Sequence, residues 1–297
     1  MPEVAAGTRG TVRSGQAVQS GQAVRSRQLA NGVALAYDDV GAGDPPFLFI
    51  HGLAGSRSVF PDQVAHFARS HRVVAYDQRG HGDSDRPDDG RYDLWTLADD
   101  ARQLADALGL DHPVVVGHSL GGTVAIALAA RYPEFPRALV VLDSVFELRP
   151  DSRRTLQAFY ESLADGTDDA YEAAVEVFVR TQLTSPGDDP AVVASAVALM
   201  TSLPREVFVA LGTSRLGFDD VAAAKGVTAP ALFVGSARPF CDLASVRANC
   251  PGWYLGRVVG SGHKLQLLVP DQVNAMIDRF LSLVDAGFPH DVEQGAF

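Results

Sequence analysis

The chain has 297 residues, 46% of them hydrophobic and 21% charged. That suits one large core, or one core with a small appended unit. A formal net charge of −11 without basic clusters argues against a nucleic-acid partner, because phosphate neutralisation supplies most of that affinity. No stretch reaches the ~18 consecutive apolar residues of a membrane-spanning helix.

Residues 1–26 are rich in Gly, Ser, Gln and Arg and read as a disordered N-terminal tail. Met1 to Arg27 lacks the apolar stretch of a secretory signal. Leu29 to Tyr37 and Phe47 to His51 read as strands, separated by a Gly/Pro-rich loop, and Val59 to Ser70 has helical spacing. Arg72 to Tyr76 is a short apolar strand ending at Asp77, and Leu94 to Leu108 an amphipathic helix. Val114 to Val116 and Ala138 to Leu142 are further strands, with a helix from Thr123 to Arg131 between them. Ala231 to Val234 and Trp253 to Val259 are the last strands, followed by a helix from Asp271 to Val284. Apolar strands without period-2 alternation, separated by helices, predict a mostly parallel sheet buried on both faces.

Between Ser144 and Gly226 the strand signal disappears. Four helices are expected there, at Arg153–Leu163, Ala170–Leu183, Pro190–Ser202 and Arg205–Leu211. The expected organisation is a core of residues 27–145 and 226–297, with residues 146–225 inserted as a helical cap over the sheet's C-terminal edge. That edge is where ligands bind in open α/β sheets.

Gly117-His118-Ser119-Leu120-Gly121 lies between an apolar strand and a small-residue helix. The glycines sit where the two backbones nearly touch, so a Cβ would clash. The turn presents the Ser119 hydroxyl at a helix N-terminus, which favours developing negative charge. Other chemistries lack support. There is no phosphate loop or dinucleotide fingerprint, and no His/Cys/Asp cluster with metal-ligand spacing. Cys241 and Cys250, nine residues apart, match no zinc pattern and read as reduced thiols of a cytoplasmic protein, with a disulfide between them as the alternative. No cofactor is implied.

Four motifs together resemble the α/β-hydrolase fold superfamily, over about Leu29 to Leu283. They are His51-Gly52-Leu53, Asp77-Gln78-Arg79-Gly80-His81-Gly82-Asp83-Ser84, the Ser119 turn, and Gly260-Ser261-Gly262-His263. The resemblance implies an α/β-hydrolase fold with the cap following the Ala138–Leu142 strand, sixth in the family's order. It implies Ser119 as nucleophile in a nucleophile elbow. His263 is implied as base, and the backbone N–H groups of Leu53 and Leu120 as oxyanion hole. His118 flanks the serine and is expected in a structural hydrogen bond. His51 and His81 are expected to order loops, and His66, His71, His112 and His290 to lie at the surface.

The triad acid departs from the family pattern. Its usual place, in a G-x-x-D arrangement after the strand Ala231–Val234, is held by Arg238. Arginine cannot accept a hydrogen bond. Two carboxylates can substitute. Asp143 ends the strand Ala138–Leu142, where a minority of the superfamily places its acid, and Asp242 lies four residues past the usual site. Both stay open, with Asp143 preferred. Gly52, His118, Phe146 and Arg238 are expected around the substrate pocket, and Phe60, Phe159, Phe178 and Phe208 are further candidates for its lining. Arg238 is expected either to pair with Asp242 or to hold an anionic group, and Lys264 to be a surface charge or to reach the pocket rim.

The expected function is a serine hydrolase acting on a small to medium, largely apolar ester or lactone. C–C bond hydrolysis, cofactor-free dioxygenation, and ligand reception without turnover are the alternatives the same fold allows. The expected partner is a small-molecule substrate, with neither nucleic acid nor membrane. A homo-oligomer stays open.

Overall fold

The computed structural model describes residues 24–148 and 150–287. Its sheet has eight strands in the order β1-β2-β4-β3-β5-β6-β7-β8. They are β1 (Arg25–Gln28), β2 (Ala34–Val40), β3 (Phe47–Ile50), β4 (Val73–Tyr76), β5 (Val114–His118), β6 (Ala138–Leu142), β7 (Ala231–Gly235) and β8 (Tyr254–Arg257). β1 and β2 run antiparallel to their neighbours, and every pair from β4 onwards is parallel.

The helices are α1 (Pro61–Phe67), α2 (Leu94–Leu108), α3 (Leu120–Arg131), α4 (Pro150–Ala164), α5 (Asp168–Phe178), α6 (Pro190–Thr201), α7 (Arg205–Gly217), α8 (Asp220–Ala224), α9 (Leu243–Asn249), α10 (Leu265–Leu268) and α11 (Pro270–Asp285). A π turn, Val179–Leu183, extends α5.

Both faces of the sheet are covered. Leu48, Ile50, Val115, Leu139 and Val141 point into one apolar cluster, which α2, α3 and the inserted helices complete. Phe47, Phe49, Val114, Val116, Ala138, Val140 and Leu142 point into the other, under α1 and α11. Alternate residues therefore serve opposite cores, and the strand sequences read as unbroken apolar runs for that reason. Asp93 caps the start of α2 by accepting from the Thr96 N–H at 2.9 Å, and Gly109 closes it in the left-handed conformation at φ 64°.

The expected N-terminal tail needs correction at its end. Residues 1–23 lie outside the described residues, as does His290, but Arg25–Gln28 forms an edge strand, with Arg25 opposite Tyr37 and Gln28 opposite Ala34. All four of its residues are exposed, so hydropathy carries no signal. Backbone pairing onto β2 through the turn at Gly32, φ 86°, makes the strand. The expected strand from Leu29 accordingly splits into that turn and β2. The short helices α8, α9 and α10 were not expected either, being too short to establish a period. No single described helix is long and apolar enough to cross a membrane.

Candidate active site

Four loops meet beyond the C-terminal ends of β3, β5, β6 and β8. Ser119 follows β5 with φ 55° and ψ −123°, a strained conformation for a residue with a Cβ. Close packing enforces it. A Cβ on Gly117 would lie 2.2 Å from the Gly121 carbonyl oxygen, and one on Gly121 would lie 2.2 Å from the Ile50 carbonyl oxygen. The Ser119 N–H donates to Leu142 O at 2.9 Å, and its carbonyl accepts from the Gly122 N–H at 2.9 Å and the Ser144 hydroxyl at 2.8 Å. The serine is thus fixed by its own backbone.

Asp143 follows β6 directly and is fully buried. Its Oδ2 accepts from His263 Nδ1 at 2.8 Å, and its Oδ1 from the Ser236 N–H at 2.8 Å. Its backbone takes φ 42°, which aspartate tolerates better than most residues. Burial lowers the His263 pKa, while the hydrogen bond and charge of Asp143 raise it and Lys264 lowers it further; the net shift is downward. With Nδ1 donating to Asp143, Nε2 of the neutral ring is an acceptor.

Three neighbours hold that imidazole. His118 Nε2 donates to the His263 carbonyl at 2.9 Å. Burial keeps His118 well below the usual imidazole pKa, so this ring is neutral. Phe240 meets the His263 ring edge-on at 4.7 Å between centroids. The inserted segment bonds the loop itself: His263 N–H donates to Leu183 O at 3.0 Å, and Gly262 N–H to Asp188 Oδ1 at 2.9 Å. A Cβ on Gly262 would fall 2.3 Å from Asp188 Oδ2.

The loop after β3 is ordered by two more neutral histidines, which burial holds down at about 4 for His51 and about 3 for His81. His51 Nδ1 donates to Gly52 O at 2.8 Å, and its Nε2 accepts from the Gln78 N–H at 3.0 Å. His81 Nε2 accepts from the Ala54 N–H at 3.1 Å. Asp77 accepts from the Arg57 N–H at 2.6 Å and the Asp83 N–H at 3.0 Å. The second motif of the sequence is therefore the support on which the Leu53 loop rests. A Cβ on Gly52 would come within 2.9 Å of Ser119 Cβ, so the loop backbone lies against the serine. Leu120 is the first residue of α3, and its N–H is one of the donors left free at a helix start.

Ser119, His263, Leu53 and Leu120 all line one cavity of about 710 Å³, part of it open to solvent. Leu148, Leu156, Tyr160, Phe178, Leu183, Met200, Arg215 and Leu216 of the inserted segment form much of the rest, with Phe240 and Lys264.

Four expected pocket residues do not line it. Gly52 and His118 are packed behind the serine and the histidine. Phe146 is buried beside Trp253, 6.5 Å between ring centroids, while its neighbours Val145 and Leu148 face the cavity. Arg238 is exposed, where a guanidinium keeps its hydration. Asp242, the alternative acid, is exposed too. It caps α9, its Oδ1 accepting from the Ala244 N–H at 2.9 Å. Among the candidate phenylalanines only Phe178 reaches the cavity; Phe60, Phe159 and Phe208 pack against other rings. Arg215 and Tyr160 had no sequence signal, because cap helices show their periodicity but not how they dock. Both cysteines are free and buried, and burial pushes their thiols up to about 12 for Cys241 and about 11 for Cys250.

This fold and site define an α/β-hydrolase, and the chain belongs to that enzyme family. The family's sequence model, described as alpha/beta hydrolase fold, matches residues 45–185. Over 245 residues the chain is 30% identical to the Caulobacter vibrioides protein named Putative carbamate hydrolase RutD, covering 81% of this chain and 91% of that one. Among solved structures, a thermophilic esterase from Thermogutta terrifontis superposes with a TM-score of 0.75 at 22% identity, over 89% of this chain and 99% of the other. The enol-lactonase from Burkholderia xenovorans does so with a TM-score of 0.74 at 20% identity, over 87% of this chain and all of the other.

Proposed function

We propose that this protein hydrolyses small to medium carboxylic esters or lactones through an acyl-enzyme on Ser119. The observation that carries the reading is the Asp143–His263 hydrogen bond of 2.8 Å in the wall of the cavity that Ser119 also lines. With Nδ1–H committed to Asp143, Nε2 takes the Ser119 proton as Oγ attacks the acyl carbon, then returns it to the leaving alkoxide. The N–H groups of Leu53 and Leu120 receive the oxyanion. Such donors are typically worth about 3–4 kcal/mol each. A water molecule, deprotonated by the same nitrogen, releases the acid. Residues 146–225 act as the cap, and its Leu, Met and Phe side chains select a largely apolar substrate body.

The test is hydrolysis of short p-nitrophenyl esters and simple lactones by the native protein and by Ser119→Ala. Turnover that vanishes in the variant supports acyl transfer at Ser119. Turnover that survives it overturns the assignment of the nucleophile.

A further inference from the structure

The cavity wall is apolar apart from Ser119, His263, Tyr160, Arg215 and Lys264. Two of these are cationic side chains, and the protein leaves the charge of one and donors of the other unused. Lys264 is only 7% exposed, and among the described residues no carboxylate pairs with its ammonium. Arg215, on α7, is equally buried. One of its nitrogens, Nη2, serves Val145 O at 2.8 Å and Asp220 at 2.8 Å. Its Nε and Nη1 are buried without any partner.

The local charges can be followed one by one. Asp220 offsets Arg215. Asp143 is committed to His263 and the Ser236 N–H. Lys264 is left over. Burying an ammonium with no counter-ion is costly, and burial alone lowers its pKa from 10.5 to about 8. At neutral pH most of it still carries its proton. Buried donors are normally satisfied. One unpaired cation in the wall that also holds the nucleophile, beside an arginine with two unpartnered guanidinium nitrogens, fits a substrate that brings its own anion.

We infer that the substrate carries a carboxylate, received by Lys264 together with the unpartnered N–H donors of Arg215 while its acyl carbon sits at Ser119. This inference rests on the hydrolase reading above and narrows it to monoanionic half-esters or carboxylated lactones. A single negative charge matches the single uncompensated cation. A phosphate dianion would exceed it. The apolar remainder of the cavity takes the hydrocarbon between the acyl carbon and the carboxylate.

The experiment compares mono-p-nitrophenyl glutarate with p-nitrophenyl valerate, esters of similar length that differ in the terminal carboxylate. The ratio of their kcat/KM values is measured in the native protein, Lys264→Met and Arg215→Lys, each checked for native melting behaviour. Glutaramate, the monoanionic half-amide of the same length, is titrated by calorimetry into the native protein and Lys264→Met. The expected result is a native preference for the anionic ester. Lys264→Met should lower the ratio by about 10- to 100-fold and weaken glutaramate by a similar factor, the usual worth of one charge-assisted contact. Arg215→Lys keeps a cation beside Asp220 but removes the surplus donors, and should lower the ratio as well. A ratio and a glutaramate affinity indifferent to Lys264 overturn the carboxylate site, whether or not Ser119-dependent hydrolysis is present. Glutaramate binding that needs Lys264, in a protein that hydrolyses neither ester, would keep the site and overturn the hydrolase reading.

Discussion

Replacing Asp143 by asparagine tests the proposed catalytic assembly at its most unusual member. The left-handed backbone at φ 42° is one that asparagine adopts as readily as aspartate, so the substitution leaves the turn after β6 intact; alanine would add strain. The asparagine carbonyl can keep the Ser236 N–H, now 2.8 Å from Oδ1. Its amide nitrogen then faces His263 Nδ1, where Oδ2 sits at 2.8 Å. Two donors cannot share that contact, so the ring settles in the other tautomer and points an N–H at Ser119. The expected loss in kcat is roughly 10³- to 10⁴-fold, the size known for an Asp-to-Asn change in a serine-protease triad. At 1.36 kcal/mol per tenfold this is about 4–5.5 kcal/mol of barrier. Steady-state hydrolysis of p-nitrophenyl butyrate measures it, with circular dichroism and a thermal melt confirming the fold. A loss below tenfold would refute the reasoning, and so would a comparable loss in Asp242→Asn, which removes only a helix cap.

The proposed base sets the pH dependence expected of the reaction. Its pKa is lowered, chiefly by burial, and only the neutral ring can accept the serine proton. Ester hydrolysis should therefore be full at neutral pH and fall on acidification with a midpoint below 6.5; a kcat/KM midpoint above 7 contradicts this. His118→Ala removes the donor to the His263 carbonyl and leaves a cavity. It should lower kcat more than it raises KM and lower stability by about 1–3 kcal/mol, as denaturant titration would show; an unchanged kcat would make His118 a packing residue only. In Gly121→Ala the new Cβ meets the Ile50 carbonyl at 2.2 Å. Overpacking of that kind should cost at least about 2 kcal/mol, and a melting temperature equal to the native one would refute the close approach of β3 and α3.

The parts of the site legible in the sequence were those held by local backbone geometry. Gly117 and Gly121 announce a strand and helix in contact, and the residue between them is forced outward. The parallel sheet was legible because β3, β5 and β6 bury both faces, so their apolar runs are unbroken. Asp143, which bonds His263, could be singled out as the preferred candidate acid because Arg238, at the family's usual place for it, cannot accept a hydrogen bond. Other features had no local signature. β1 exists through backbone pairing alone, and its four exposed residues carry no pattern. Phe146 and Val145 are neighbours of similar character, yet only Val145 faces the cavity; which one does so depends on the turn after Asp143. Arg215 was invisible because its role depends on where α7 docks. The spacing of an amphipathic helix identifies a buried face but not the element that buries it.

The contact between the inserted segment and the histidine loop has a kinetic consequence. Leu183 and Asp188 accept the N–H groups of His263 and Gly262. Lifting that segment as a rigid lid would therefore unbolt the proposed base at the moment the cavity opens. A base that has lost those two contacts would not be held for proton transfer, so in the proposed cycle opening and chemistry would fall in separate phases. Lengthening the 184–188 loop should accordingly register in kcat as well as in KM, although none of its residues lines the cavity.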